Sequence, residues 1–398
     1  MTSPYPDFES ADFLNDHISE TLAFYEDRAV DPNGGFFHCF EDDGRVYDHD
    51  LRHLVSSCRF VFDYALAYRE RGETRHLNKA RHGLAYLENF HRQPNGSYAW
   101  QLRKGEVIEG QVMAYGHAFV LIAASFALEA GVSEARSTLK HIWEFMESHF
   151  WDSEHGAYAD EYDASLETLS PYRGQNANMH SCEGCIAAYR ATKDSKFLDR
   201  AEALARKFTV VLPLQADGMI WEHYDPNWQA DFDYHKDKPN DLFKPWGIQP
   251  GHLVEWARLL LTLDELRPQP WYLERAKELY ATAMEHGRDP EFGGLIYGFA
   301  PDGTPCAREK YYWVHSETAA TAWRLYRLTG EAHYRDDYHY CWQYAWDHLI
   351  DHEHGAWFRV LTPDGKKIDN QKSPPGKTDY HTLGVSWDIL SVSAKANR

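Results

Sequence analysis

"NGGFFHCF", residues 33–40, joins a glycine turn to a run of aromatic residues, and the same joining returns five more times along the chain. The later copies are "PNGSYAW" (94–100), "EHGAYADEY" (154–162), "ADGMIWEHY" (216–224), "FGGLIYGF" (292–299) and "EHGAWFRV" (353–360). Their glycines, Gly35, Gly96, Gly156, Gly218, Gly294 and Gly355, are 61, 60, 62, 76 and 61 residues apart. A period near sixty with six copies is the signature of a repeat architecture.

Each copy carries the same two helices. Before the turn stands an amphipathic stretch, such as "ARSTLKHIWEFMESHF" (135–150) or "YLERAKELYATAMEH" (272–286), with apolar residues at i, i+3, i+4 and i+7 and charge opposite. After it comes a less charged one, such as "AYGHAFVLIAASFAL" (114–128) or "HLVEWARLLLTL" (252–263), apolar nearly all round and therefore expected inside. Six outer–inner pairs can stack as an open solenoid or close into a ring. No terminal repeat is polar enough to cap an open stack, so closure is favoured. The expectation is an all-α fold: one (α/α)6-barrel domain over 1–398, with short β-hairpins in the loops at one mouth and the pocket at that mouth.

Bulk composition narrows the function. At 398 residues with 43% hydrophobic content the chain can bury a large core, and no apolar run reaches membrane-spanning length. A formal charge of −20 repels nucleic acid and acidic membranes. The acidic start "MTSPYPDFESADF" lacks the pattern of a secretory leader, which points to the cytoplasm. Six scattered cysteines do not make a disulfide framework, and Cys182-x-x-Cys185 lies in a helical stretch with no second pair, so both read as buried thiols.

Near the start of every inner helix stands a histidine: His53, His117, His180, His252, His315 and His381. Six equivalent positions would face one mouth. His180, His252 and His381 follow loops of special composition, "GQNANMH", "GIQPGH" and "GKTDYH", whereas the other three have plainer surroundings and read as structural. Glu183 and Glu255 follow His180 and His252 at i+3, a spacing that puts acid and imidazole on one helix face. Ligands on separate helices around a wide mouth are not expected to converge on one ion, so no metal and no cofactor is expected. Trp221, Tyr224, Trp228, Trp246 and Trp313, with Gln175, Asn176, Asn178, Arg59, Tyr115 and Asp379, supply stacking faces and hydrogen-bonding groups for a sugar, or else part of the core.

These residues resemble the N-acylglucosamine 2-epimerase superfamily, in its branch of mannose and sulfoquinovose isomerases. The likeness spans essentially the whole chain and is most specific in "YRGQNANMH" (172–180), in residues 222–260 and in "KTDYHTL" (377–383). It implies sugar isomerisation or epimerisation by proton transfer without a metal, and the expectation is an aldose–ketose isomerase that interconverts D-mannose and D-fructose through a cis-enediol. His252 and His381 match the acid/base pair; Arg59, Tyr115, Asn176, His180, Glu255 and Trp313 match sugar-contacting positions. His381 is expected to move the proton from C2 to C1, His252 to serve ring opening and the oxygens, and Glu255 to orient His252. Sulfonate-handling members carry arginines before the G-x-x-P-G-H stretch, where "NDLFKPWG" here has only Lys244, so a neutral hexose is favoured over sulfoquinovose.

Three alternatives stay open at this level. The same site would act as a 2-epimerase if C2 were reprotonated from the opposite face. A glycoside hydrolase on this barrel would need two flanking carboxylates, for which Asp225, Asp379 and Glu183 are candidates. A sugar-binding module without chemistry would need no histidine set. The expected substrate of the isomerase is a monosaccharide; the epimerase alternative is of the mannose/glucose or the cellobiose type. The longer fourth-repeat loop, 222–248, is expected to cover the pocket.

Overall fold

The structure, a computed structural model, describes residues 4–396. Twelve α-helices alternate between two layers. The outer layer holds α1 (Ala11–Glu26), α3 (Thr74–Tyr86), α5 (Ala135–His149), α7 (Ser195–Arg206), α9 (Tyr272–Gly287) and α11 (Ala332–Tyr344). The inner layer holds α2 (Leu54–Arg71), α4 (Ala114–Glu129), α6 (Gln175–Thr192), α8 (Pro250–Leu266), α10 (Tyr312–Thr329) and α12 (Tyr380–Ala396). Each inner helix packs against the next, and α12 packs against both α10 and α2, which closes the (α/α)6 barrel. Among the described residues no helix is long and apolar enough to cross a membrane.

Patterning explains the layers. In α4 nearly every side chain from Ala114 to Ala127 is buried, whereas α5 buries only the stripe Ala135, Thr138, Leu139, Ile142, Phe145 and Met146. Burial of such a stripe, at roughly 25 cal/mol per Å², holds an outer helix on the ring. The glycine of the repeat is required where the turn meets the next outer helix. Gly294 has φ +67°, and a Cβ there would stand 2.6 Å from the ring of Tyr344.

Short strands stitch the ring at one mouth. The segment before an inner helix pairs antiparallel with the next repeat: Leu51–His53 with Gln101–Arg103, Val112–Met113 with Glu161–Tyr162, Arg173–Gly174 with His223–Tyr224, and Lys310–Tyr311 with Val360–Leu361. A single bridge between Ile248 and Phe299 serves the fourth repeat, and Gln371–Ser373 returns to Cys39–Glu41. Hairpins are present, but the pairing that positions the inner helices runs between repeats. All inner helices therefore aim their N-termini, the positive ends of their dipoles, at this mouth.

The six histidines do not occupy one equivalent position. His117 and His315 are the fourth residues of α4 and α10, a position that Asn178 fills in α6. There each accepts a backbone N–H from the preceding glycine turn: Tyr98 to His117 at 3.1 Å, Leu295 to His315 at 2.9 Å, Tyr158 to Asn178 at 2.7 Å. The Nδ1–H of His117 and of His315 donates one turn back, to Met113 and Tyr311. Burial pushes these two imidazoles down to about 4 and about 3, which keeps them neutral. His53 caps α2 by accepting from Val55 N–H at 3.1 Å. Only His180, His252 and His381 are left for chemistry.

Candidate active site

A small cavity at the stitched mouth is lined by Arg59, Tyr115, Asn176, His180, His252, Glu255, Trp313 and His381, which are all eight residues expected from sequence. Tyr297, Lys377, Leu242 and Pro245 complete it. The last two belong to the long loop 222–248, which roofs the cavity. Phe243 in that loop packs on His53, Trp100 and Tyr115, and its carbonyl accepts from Asn176 at 3.4 Å.

Trp313 forms the floor between the two imidazoles: His252 lies 5.3 Å and His381 5.6 Å from its ring, at similar tilts. The indole packs against Gly251 so closely that a Cβ there would fall 2.2 Å from it, hence the P-G-H start of α8. The other aromatic candidates are core. Trp221, Tyr224 and Trp228 are buried among themselves and Phe208, and Trp246 packs on Trp221.

Each of the three site histidines has its Nδ1 on a carboxylate. His381 meets Glu317 at 2.8 Å, His252 meets Glu222 at 2.9 Å and His180 meets Glu183 at 3.0 Å. An ionised carboxylate only accepts, so Nδ1 carries the proton and Nε2 keeps its lone pair for the cavity. The expectation that Glu255 orients His252 is therefore wrong. Glu222, across a strand turn, does so, with Gln175 donating to the same carboxylate at 2.9 Å and itself held by Trp256 at 2.8 Å. Glu255 instead stands 3.8 Å from Nδ1 of His381. Neither Glu222 nor Glu317 was among the expected site residues.

Electrostatics divide these groups by role. Burial, then Arg59 and Lys377, hold His381 well below its ordinary range, so its contact with Glu317 joins a neutral imidazole to the acid. Burial also lowers His180, to about 4, against the pull of Glu183. Glu255 is raised well above the usual carboxyl range by burial and by the nearby Glu317 and Glu183, which favours its protonated form. Burial lifts Glu317 to about 7 although Arg258 donates to it at 2.8 Å.

Arg59 is set by Gly376, whose carbonyl accepts Nη1 at 2.9 Å, and by the faces of Phe119 and Tyr380. Its Nη2 lies 3.5 Å from both Tyr115 Oη and His381 Nε2. Asn176 Oδ1 and Trp313 Nε1 are buried without a hydrogen-bond partner among the described residues, as expected of groups reserved for a ligand. Glu255, Glu317 and His381 bring three ligand-type atoms within 4.8 Å of one another, although they come from three helices. Such convergence runs against the expectation from the sequence. Arg258 on Glu317 and the proton on Glu255 already neutralise this group.

The hydrolase candidates are engaged elsewhere: Asp379 accepts from Tyr25 and Thr382, Glu183 from Tyr380, and Asp225 from its own turn. Cys182 and Cys185 are buried free thiols.

Fold and site together define an (α/α)6 barrel with an imidazole-lined, sugar-type pocket at its mouth. The family model of N-acylglucosamine 2-epimerase (GlcNAc 2-epimerase) matches residues 35–385, and the chain belongs to that family. It is 47% identical to a D-mannose isomerase of Marinomonas mediterranea over 98% of this chain and 99% of the relative. A D-mannose isomerase of Thermobifida fusca is 34% identical over 82% and 80% of the two chains. A crystal structure of D-mannose isomerase superposes with a TM-score of 0.95 at 46% identity, covering 97% of this chain and 99% of the other.

Proposed function

We propose that this protein interconverts D-mannose and D-fructose by metal-independent proton transfer through a cis-enediolate. The observation that carries the chemistry is the set of three imidazoles, each with Nδ1 held on a carboxylate and Nε2 left to a polar cavity. The substrate follows the D-mannose isomerases, to which the chain is similar over its full length.

In this reading His252 serves the oxygens. It takes the anomeric hydroxyl proton and passes it to O5 as the C1–O5 bond breaks, which releases the open-chain aldehyde. His381 Nε2 then takes the C2 proton; the electron pair forms the C1–C2 double bond and O1 becomes an oxyanion. Arg59, Asn176 and His180 surround the reacting oxygens, where donors placed in advance stabilise developing charge. The inner-helix N-termini add positive potential. His381 returns its proton to C1 on the same face while the hydroxyl proton moves from O2 to O1, leaving the C2 ketone. Glu255, kept protonated, donates a hydrogen bond.

Hydrolysis is disfavoured because Glu255 is the only carboxylate lining the cavity among the described residues. The cytoplasmic setting belongs to the same reading, since six scattered cysteines in 398 residues do not suit an oxidising compartment. Incubation with D-mannose in deuterated water, followed by NMR, tests the assignment. Deuterium at C1 of fructose supports the isomerase; label confined to C2 of an aldose makes the protein an epimerase.

A further inference from the structure

Lysine is almost never buried without a counter-charge. Three lysines are buried here, and two obey the rule: Lys310 meets Asp289 and Lys372 meets Asp351, each at 2.6 Å. Lys377 does not. It is 7% exposed, and its Nζ has no hydrogen bond or ion pair among the described residues. What it faces is the sugar cavity, which it helps to line.

Its backbone is held firmly. Lys377 N–H donates to the Pro374 carbonyl at 3.0 Å, its own carbonyl accepts from Ser373 Oγ at 2.8 Å, and Gly376 N–H donates to Ser56 Oγ at 2.9 Å. The Gly376 carbonyl is also the group that fixes Arg59. The braced turn that carries Lys377 thus also holds the Arg59 guanidinium. The ammonium lies 5.9 Å from the centre of the Trp313 ring, against which both His252 and His381 pack. The ammonium therefore shares with both imidazoles the ring that floors the cavity.

Granting the isomerase reading, we propose that Lys377 is a further catalytic residue whose ammonium binds an oxygen of the C1–C2 pair and stabilises the enediolate. Burial, then Arg59 and Arg359, push Lys377 down to about 7 against the opposing pull of Glu255, so the ammonium lacks sufficient negative charge nearby. An oxyanion forming on the substrate supplies it only as the reaction proceeds, which favours the intermediate over the bound sugar.

The test compares wild type with Lys377→Met, which keeps the volume and removes the charge, and with Lys377→Arg, which keeps the charge. Turnover of D-mannose is measured beside calorimetric affinity for D-arabinonohydroxamate, whose paired oxygens mimic the enediolate, and for the neutral polyol D-arabinitol. Lys377→Met should lose on the order of 10²-fold in kcat and in hydroxamate affinity while polyol affinity changes less than about threefold; Lys377→Arg should recover much of the loss. Circular dichroism confirms that each variant is folded. Equal losses for hydroxamate and polyol, or kcat within about twofold of wild type in Lys377→Met, overturn the proposal. A wild type that binds the hydroxamate through Lys377 yet converts no mannose would sink the isomerase reading and leave this contact standing. A wild type that binds neither probe would sink both.

Discussion

Glu317 on α10 accepts the Nδ1 proton of His381 on α12 at 2.8 Å, and its other oxygen accepts Nε of Arg258 at 2.8 Å. The carboxylate thereby selects the tautomer in which His381 Nε2 is a base. Glu317→Gln puts an amide in the same space, and an amide able to donate to Nδ1 favours the wrong tautomer. The analogous exchange in the serine-protease triad costs about 10⁴-fold in kcat, and a loss of about 10³-fold or more is expected here. Steady-state kinetics with D-mannose check this. Melting should show destabilisation too, since Arg258 loses its buried partner.

His381 and His252 pack on the same indole, but the proposed chemistry gives them different protons. His381→Asn should lower turnover by on the order of 10²–10⁴-fold, the usual span for a general base, and abolish deuterium exchange at C2. His252→Asn should slow conversion of the cyclic sugar while leaving exchange at C2 detectable in the small open-chain fraction. NMR exchange rates in deuterated water separate the two variants, and the reverse pattern would exchange their roles.

Glu255 gives a contrasting case among the carboxyl groups. Burial and Glu317 favour its protonated form, so the role proposed for it is that of a hydrogen-bond donor. Glu255→Gln preserves a donor and a neutral side chain, so it should retain activity within about tenfold of wild type, whereas Glu255→Ala should lose about 10²-fold. Parallel kinetics of the two variants decide the point. A glutamine variant as inactive as the alanine one would mean that an ionisable carboxyl is needed.

Much of this was legible in the sequence because it is periodic or local. The sixty-residue recurrence of glycine and aromatic residues specifies the ring, and loop composition separates His180, His252 and His381 from His117 and His315. The i+3 rule identified Glu183 as the partner of His180, whose contact lies within one helix turn. The same rule failed at His252, because α8 turns Glu255 toward the barrel axis, where Glu317 and His381 arrive from other helices. The true partners, Glu222 and Glu317, lie 30 and 64 residues from their histidines, and no local pattern reports a contact made by ring closure. Lys377 was hidden for another reason: its missing partner is visible only once the surrounding charges have positions.

Acid should unfold this protein readily. Burial lowers His17, His91, His117, His180 and His223 to about 4, and His53 and His315 to about 3. These groups bind protons more tightly in the unfolded chain, so each contributes stability that is present above about pH 6.5 and is lost as pH falls toward the folded value. Glu317 and Asp160, raised to about 7 chiefly by burial, act in the opposite sense between the usual carboxyl range and pH 7. The histidines are more numerous, so the melting temperature should decline steadily from pH 6.5 to 4. A calorimetric pH series checks this, and a melting temperature constant across that window would contradict the neutral burial of the histidines.

The closeness of Glu255, Glu317 and His381, within 4.8 Å, makes a divalent ion the most direct challenge to the proposed mechanism. A carboxylate shared with Arg258 and a protonated neighbour form a poor ligand set, because a cation would have to displace both the guanidinium and the proton. His381 could also not act as the carbon base while its lone pair held an ion. Exhaustive dialysis against EDTA should therefore leave D-mannose turnover within about twofold of the untreated enzyme, and added Mn²⁺ or Zn²⁺ should not raise it. Activity that disappears with the chelator and returns with one of these ions would replace the imidazole mechanism by a metal-assisted one, with Glu255 and Glu317 as ligands.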